Sequence, residues 1–418
     1  MTRGLTHVGH TIVSGNTGTR PPNLRTGEPR YAGPTLVGGA TCGGISRWER
    51  TIDIDRTVSL VDLYEVEDWW RKTFSANPHL SPQQSFEWVR TWARHYSPGS
   101  CRVYALTQGS AVRAVLPIVS NGRKPSLPSS APPDINDTFE VITDAAHNPE
   151  TAAMALAAVL EARQGRPLYL QSVDPALLAT LQRVDARCKC LVIGWETKPR
   201  LELPRSWEEY LARLRVNQRA DLRRNTRRAA DGDMCFRFLT QPDAVAESTR
   251  RGLAQRRRVW AEHGLYDKIP LAQREPVWDE FLTEAARTLA ASGLALAGEL
   301  VFGRDVVASM LVLQRCDRFL AYYRSSERSP MGFGATFDAL FLRAAIERGV
   351  RVVDYGRGGE RYKYRLGAVD TAVCDVVIGH ARAITLFTIA ARATPHLARR
   401  LAHALPRTRP GPRPRSVP

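Results

Sequence analysis

The stretch "VVDYGRGGERYKYRLG", residues 352–367, sets Asp354, Glu360, Arg361, Tyr362, Lys363, Tyr364 and Arg365 directly behind an apolar run. A carboxylate ending a buried strand, a glycine turn and a row of cations together suit an anionic ligand. Ligand sites in open α/β sheets gather at strand carboxyl ends, and guanidinium and ammonium groups pair with phosphate or carboxylate. If residues 361–365 are extended, alternation separates an aromatic face (Tyr362, Tyr364) from a cationic one (Arg361, Lys363, Arg365). The plainer reading has Asp354 capping the turn and the cations solvating an edge.

Glu299 stands inside the apolar run "ALAGELVF". A carboxylate there is costly unless partnered, and burial would raise its pKa toward a range useful to a general base. The competing reading is an edge-strand carboxylate facing water. Tyr322 and Tyr323 are adjacent, so a regular strand turns them to opposite sides. Tyr323 is the candidate acid toward a leaving group.

"ERSPMGFGA" places Gly332, Phe333, Gly334 and Ala335 just before a helix, with Arg328 upstream. Helix N-terminal N–H groups and the helix dipole favour phosphate. A tight strand-to-helix turn uses the same glycines.

These residues need elements to hold them. Ser206 and Glu209 form a capping box at the start of a predicted helix ending at Gly232. Tyr210, Leu211, Leu214, Gln218, Leu222 and Ala229 give it a narrow apolar face. Arg213, Arg215, Arg219, Arg223, Arg224, Arg227 and Arg228 cover the rest, against Asp221. That composition fits either a solvated face or phosphate contact, with Arg219 and Arg223 as candidate substrate-binding residues. A second basic cluster, "TRRGLAQRRRVW", lies on the next predicted helix. "GLALAGELVFG", "DVVASMLVLQR" and "RFLAYYRSS" then read as an antiparallel meander, followed by a helix ending at Gly349 and the strands "VRVVDYG" and "TAVCDVVIGH". Earlier, "FEWVRTWARHY" has helical spacing, residues 101–120 read as a hairpin, and an alanine-rich helix and two strands complete an α/β lobe.

The chain has 418 residues and a formal net charge of +17. The length predicts two lobes. The charge suggests anionic partners and carries no information on fold. Much of it belongs to the tail, since nothing acidic follows Asp375. Seven scattered cysteines, with Cys188 and Cys190 alone close together, argue for reduced thiols and against a zinc site. Without a membrane-length apolar run or a signal-peptide core, the expected location is cytoplasmic.

The order of elements resembles the GNAT acyltransferase fold. "LARLRVNQRADLRRNTRRA", "GELVFGRDVVASMLVLQ" and "SPMGFGATFDALFLRAAIERGVRVVDYGRGGERYKYRLG" resemble its CelD-type (BcsL-like) branch, related in architecture to the Fem aminoacyl transferases. The resemblance covers roughly residues 50–380. It implies an α/β (α+β) fold of two GNAT-like lobes, with mixed, mostly antiparallel sheets flanked by helices. The expected parts are a disordered extension (1–45), an N-terminal lobe (46–203), a C-terminal lobe (204–380) and a basic helical, Pro/Arg-rich tail (381–418). It also implies N- or O-acyl transfer from acyl-CoA, acetyl-CoA first, to an amine or hydroxyl of a small molecule or glycan in cell-envelope or polysaccharide biosynthesis, without a metal. Such proteins usually carry Gln or Arg three residues before the first loop glycine. Ser329 stands there, which leaves the donor open to aminoacyl-tRNA.

Two other function classes stay in view: a tRNA-dependent aminoacyl transferase gripping RNA with the Arg-rich helix, and a non-enzymatic nucleic-acid-binding protein. The second lacks a helix-turn-helix, a zinc pattern and aromatic residues between the arginines. A G-x-S-x-G hydrolase motif is absent, and the GxGGE run lacks dinucleotide-binding spacing. The start of the tail can form a basic amphipathic helix suited to an anionic membrane surface or to packing on the second lobe.

Overall fold

The computed structural model describes residues 35–36, 56–96, 98, 101–119, 128–132, 134–144, 148–265, 269 and 271–393. All belong to one compact unit, Pro34–Pro418. The expected N-terminal extension, except strand β1 (Thr35–Leu36), and the Pro/Arg-rich end lie outside the described residues.

The first part runs β2 (Arg56–Val61), α1 (Glu67–Ala76), α2 (Phe86–Tyr96), β3 (Cys101–Gln108), β4 (Ala111–Val119), β5 (Ile142–Thr143), α3 (Pro149–Ala162), β6 (Leu168–Val173), α4 (Pro175–Val184) and β7 (Cys188–Glu202). The α2 helix buries Phe86, Val89 and Trp92, the periodic residues of its sequence. Asn148 caps α3, and Pro149 opens it, where a missing N–H costs nothing. Strands β2 to β5 form a small antiparallel sheet.

The second part runs α5 (Trp207–Arg213), α6 (Val216–Asp231), β8 (Met234–Leu239), α7 (Pro242–Glu262), α8 (Pro276–Ala291), β9 (Ala295–Phe302), β10 (Asp305–Arg315), β11 (Arg318–Ser326), α9 (Phe333–Glu347), β12 (Val352–Asp354), α10 (Arg361–Arg365), β13 (Val369–His380) and α11 (Ala381–Ala393). Ser206 accepts from the Glu209 N–H as the capping box requires. The single helix expected from there to Gly232 is two. Leu214 and Arg215 are extended, and the Gln218 side chain accepts from the Arg215 N–H to restart the helix. The apolar face survives the break, with Tyr210, Leu211, Leu214, Leu222 and Ala229 all buried.

The larger sheet has the order β6-β13-β7-β12-β11-β10-β9-β8, with β1 on β7. The β9-β10-β11 meander is present. Strands β11 and β12 are parallel and joined through α9. Strand β13, from the end of the chain, lies between β6 and β7 of the first part. Ser129 bridges β4 and β6, tying the small sheet to the large one. The result is a mixed α/β fold of sheets flanked by helices. One core lies between α1, α2, α8 and the sheet, a second beneath α9 and a third beneath α3.

Candidate active site

Strands β11 and β12 pair over three positions, Arg318–Leu320 against Val352–Asp354. Beyond Leu320 they part. Tyr355 and Gly358 donate their N–H groups to Pro199 and Thr197 of β7, carrying the chain away from β11. At the same point β11 bulges: Ala321 lies opposite Val312 and Tyr323 opposite Leu311, so Tyr322 has no counterpart on β10. A bulge cancels the alternation of side chains. Tyr322 and Tyr323 consequently pack against the same hydrophobic cluster, contrary to the opposite-face expectation. The Tyr322 hydroxyl donates to the Ile135 carbonyl at 2.7 Å. Tyr323 is buried beneath Arg256, whose guanidinium lies 4.8 Å from its ring centre and 4.5 Å from that of Trp260. Burial pushes the Tyr323 phenol up, so it keeps its proton.

The N-terminus of α9 faces this parting. Gly332 adopts φ +66°, and no side chain caps the helix. Arg228 of α6 donates to the Met331 carbonyl at 2.7 Å, and a Cβ on Gly332 would meet its Nη1 at 2.7 Å. A Cβ on Gly334 would meet Arg324 Nη2 at 2.9 Å. Of the expected donor-binding residues, Arg328 and Ala335 are exposed, whereas Phe333 is buried against Phe302. An uncapped helix N-terminus of this kind suits an anionic group. The gap behind it is filled: Arg324 donates to the Gly334 carbonyl at 2.7 Å, pairs with Asp338 at 3.0 Å and lies 4.9 Å from the centre of the Tyr362 ring. Burial raises the Asp338 carboxyl to about 6, although Arg324 pulls against it.

The polar stretch after β12 is not extended. Residues 361–365 form α10, so the expected cationic row does not exist. A helix turns Lys363 inward while Arg361 and Arg365 stay exposed. Lys363 is 2 % exposed and donates to the carbonyls of Arg357 and Gly358, with Glu360 as its counter-ion at 2.7 Å. Its ammonium staples the glycine turn and does not face a ligand. Asp354 caps that turn by accepting from the Gly356 N–H at 2.9 Å, and it pairs with Lys198 at 2.9 Å.

Glu299 is fully buried on the sheet face under α7. One oxygen accepts from Arg237 at 2.7 Å and the other from Arg251 at 2.9 Å. It stands in register with Ser309, and Ser309 with Ser325, so a polar row crosses three strands; the Ser309 and Ser325 hydroxyls are 2.9 Å apart. Gly252 of α7 sits directly over those hydroxyls, where any side chain would collide. The arginines of "TRRGLAQRRRVW" are mostly taken: Arg250 pairs with Glu247, Arg251 with Glu299, Arg257 with Asp279, and Arg258 with Glu262 and Glu327. On α6, exposed Arg215, Arg223 and Arg227 have no acidic partner among the described residues, and half-buried Arg219 donates to the Leu214 carbonyl.

A second polar group escaped sequence reasoning. Arg357 is surrounded by Asp134 at 2.9 Å and by Asp137, Glu196 and Asp375, each at 3.7 Å. Burial raises the Asp137, Glu196 and Asp375 carboxyls against the pull of Arg357. The residues come from four distant segments, so no spacing signals them.

Residues 216–364 match the family described as an acetyltransferase (GNAT) domain. The matched span holds the β11–β12 parting, the bulge and the α9 N-terminus. The fold is also similar to the crystal structure of FemX (TM-score 0.53, 10% identity, 80% of this chain and 99% of that one). It is similar as well to a conserved protein of unknown function from Bacteroides thetaiotaomicron (TM-score 0.50, 11% identity, 78% of this chain and all of the other). No curated protein matches the chain in sequence. Among the described residues no helix is long and apolar enough to cross a membrane.

Proposed function

We propose that the GNAT domain transfers an acyl group from an acyl-CoA, acetyl-CoA first, to an amine or hydroxyl of a small-molecule or glycan acceptor, in a CelD/BcsL-like role in envelope or polysaccharide biosynthesis. The observation that carries the reading is the bulged end of β11, without a β12 partner beyond Leu320, facing an uncapped helix N-terminus inside the matched span. A donor thioester supplies an activated carbonyl. The protein's share is to hold it and to stabilise the charge that develops on oxygen. The N–H groups of Phe333, Gly334 and Ala335, behind the turn at Gly332 and with Arg228 and Arg328, hold the phosphates. The open edge of β11 offers backbone N–H groups to the carbonyl oxygen. Tyr323, kept protonated by burial, is the hydrogen-bond donor toward the leaving thiolate, without giving up its proton. Asp354 shapes the rim by fixing the glycine turn, and exposed Arg361 and Arg365 are the cations of that stretch left to meet an anionic substrate. Glu299, expected as the base, is held by two arginines, which supports a role in fixing α7 to the sheet.

The test is calorimetric titration with a panel of acyl-CoAs, using Gly334→Trp as control. Binding of at least one acyl-CoA that Gly334→Trp abolishes supports the reading. Binding that persists in the variant removes the α9 loop as the donor site. A second reading, aminoacyl-tRNA as donor, rests on exposed Arg215, Arg223 and Arg227, which have no acidic partner among the described residues. It predicts tRNA binding without acyl-CoA binding.

A further inference from the structure

We infer that the carboxylate nest around Arg357 is the acceptor subsite and takes an amino group flanked by a hydroxyl or carbonyl oxygen. This deepens the acyl-transfer reading and rests on it for the word acceptor. The binding of such an amine does not depend on it.

The nest adjoins the parting of β11 and β12. Ile135, which receives the Tyr322 hydroxyl bond, lies between Asp134 and Asp137 in the chain. Asp137 accepts from the Arg357 N–H at 3.2 Å, three residues beyond the end of β12. A Cβ at Gly356 would meet Asp137 at 2.9 Å, so the chain can approach this closely only with glycine there.

The charges do not balance. Four carboxylates surround one guanidinium, and Asp134 alone is within hydrogen-bonding distance of it. Crowded carboxylates favour an added cation. No group of His, Cys, Asp or Glu among the described residues is spaced to hold a metal ion, so an organic cation fits better.

The nest also contains donors that make no hydrogen bond. Gln171 is 5 % exposed; its Oε1 accepts from the Asp134 N–H at 3.0 Å, while its Nε2 has no partner. Arg357 Nε and Nη1 are likewise covered and without a hydrogen bond. Buried donors of this kind call for an acceptor oxygen. A ligand that satisfies both demands carries an ammonium and an oxygen side by side. Asp134, Asp137 and Glu196 retain 12, 18 and 20 % side-chain exposure, so their carboxylates are partly reachable from solvent.

The experiment titrates the full chain, without donor, with glucosamine and ethanolamine and with their uncharged counterparts glucose and ethylene glycol, read by calorimetry. The expected result is binding of the amines at least about tenfold tighter than the uncharged pair, as one charge-assisted hydrogen bond provides. The Asp137→Asn/Glu196→Gln variant should lose that preference. Glu196→Gln alone, an isosteric change at a part-exposed position, serves if the double variant does not fold, and should weaken it. Equal binding of amine and uncharged analogue, no amine binding at all, or an unchanged preference in either variant overturns the inference. If the amines bind through the nest but no acyl-CoA binds, the donor reading fails and the subsite stands. If an acyl-CoA binds but amines gain no preference, the subsite fails and the donor reading stands.

Discussion

Tyr322 and Tyr323 are consecutive in the chain, yet both pack into the same hydrophobic cluster, because Tyr322 is the extra residue of a bulge in β11. The bulge falls where β11 loses β12 as a neighbour. It fixes two phenols at the parting, one bonded to Ile135 and one stacked under Arg256.

Arg324 and Tyr362 close the gap behind the α9 loop. Arg324→Ala removes the Asp338 partner and the bond to the Gly334 carbonyl. A buried carboxylate left unpaired should cost about 3 kcal/mol, measured by denaturant unfolding. Tyr362→Phe keeps the ring under the guanidinium and should change stability by less than about 1 kcal/mol.

Asp338 gives the stability a pH dependence of known sign. Its folded value, about 6, lies above the ordinary carboxyl value of about 3.9. The protonated form is therefore favoured on folding. This contribution is fully present below about pH 4 and is lost as pH rises through about 6. Asp338→Asn, which mimics the protonated form, should flatten that fall in thermal melts across the same interval.

Lys363 and Arg361 should separate cleanly. Lys363→Met strips two part-buried carbonyls of their donor and should cost about 2 kcal/mol in unfolding experiments. Arg361→Gln, at an exposed position, should stay within about 0.5 kcal/mol. Its effect should show instead as weaker binding of an anionic substrate.

Glu299→Gln should behave as a structural lesion. It leaves half-exposed Arg237 and Arg251 without their shared anion, and a loss of about 1 kcal/mol is expected. Turnover by the molecules still folded should stay within a few-fold of the parent. A fall of about a hundredfold or more, with loss of one limb of the pH–rate profile, would instead identify a general base.

The exposed arginines of α6 offer a test of the tRNA reading. If they grip RNA phosphates, Arg223→Gln/Arg227→Gln should lower the slope of log affinity against log salt by about 1.4, two contacts at the single-strand value. Fluorescence anisotropy with labelled tRNA reads this directly. An unchanged slope leaves these arginines as solvated surface.

The sequence by itself determined the local elements. Apolar periodicity, the Ser206–Glu209 box and glycine turns place the helices and the β9–β11 meander, because spacing and capping act within a few residues. It also marked the Gly332–Ala335 loop, whose conformation follows from glycine. Tertiary structure decided what each polar side chain meets. Residues 361–365 carry charges every second position and so read as an extended cationic face. They became a helix because Lys363 finds two carbonyls and Glu360 on its inner side. The bulge at Tyr322 depends on its pairing with β10, and no spacing within β11 announces it. The insertion of β13 between β6 and β7, and the gathering of Asp134, Glu196, Arg357 and Asp375, join residues far apart in the chain. Such contacts are energies between segments, and a pattern read along one segment holds no record of them.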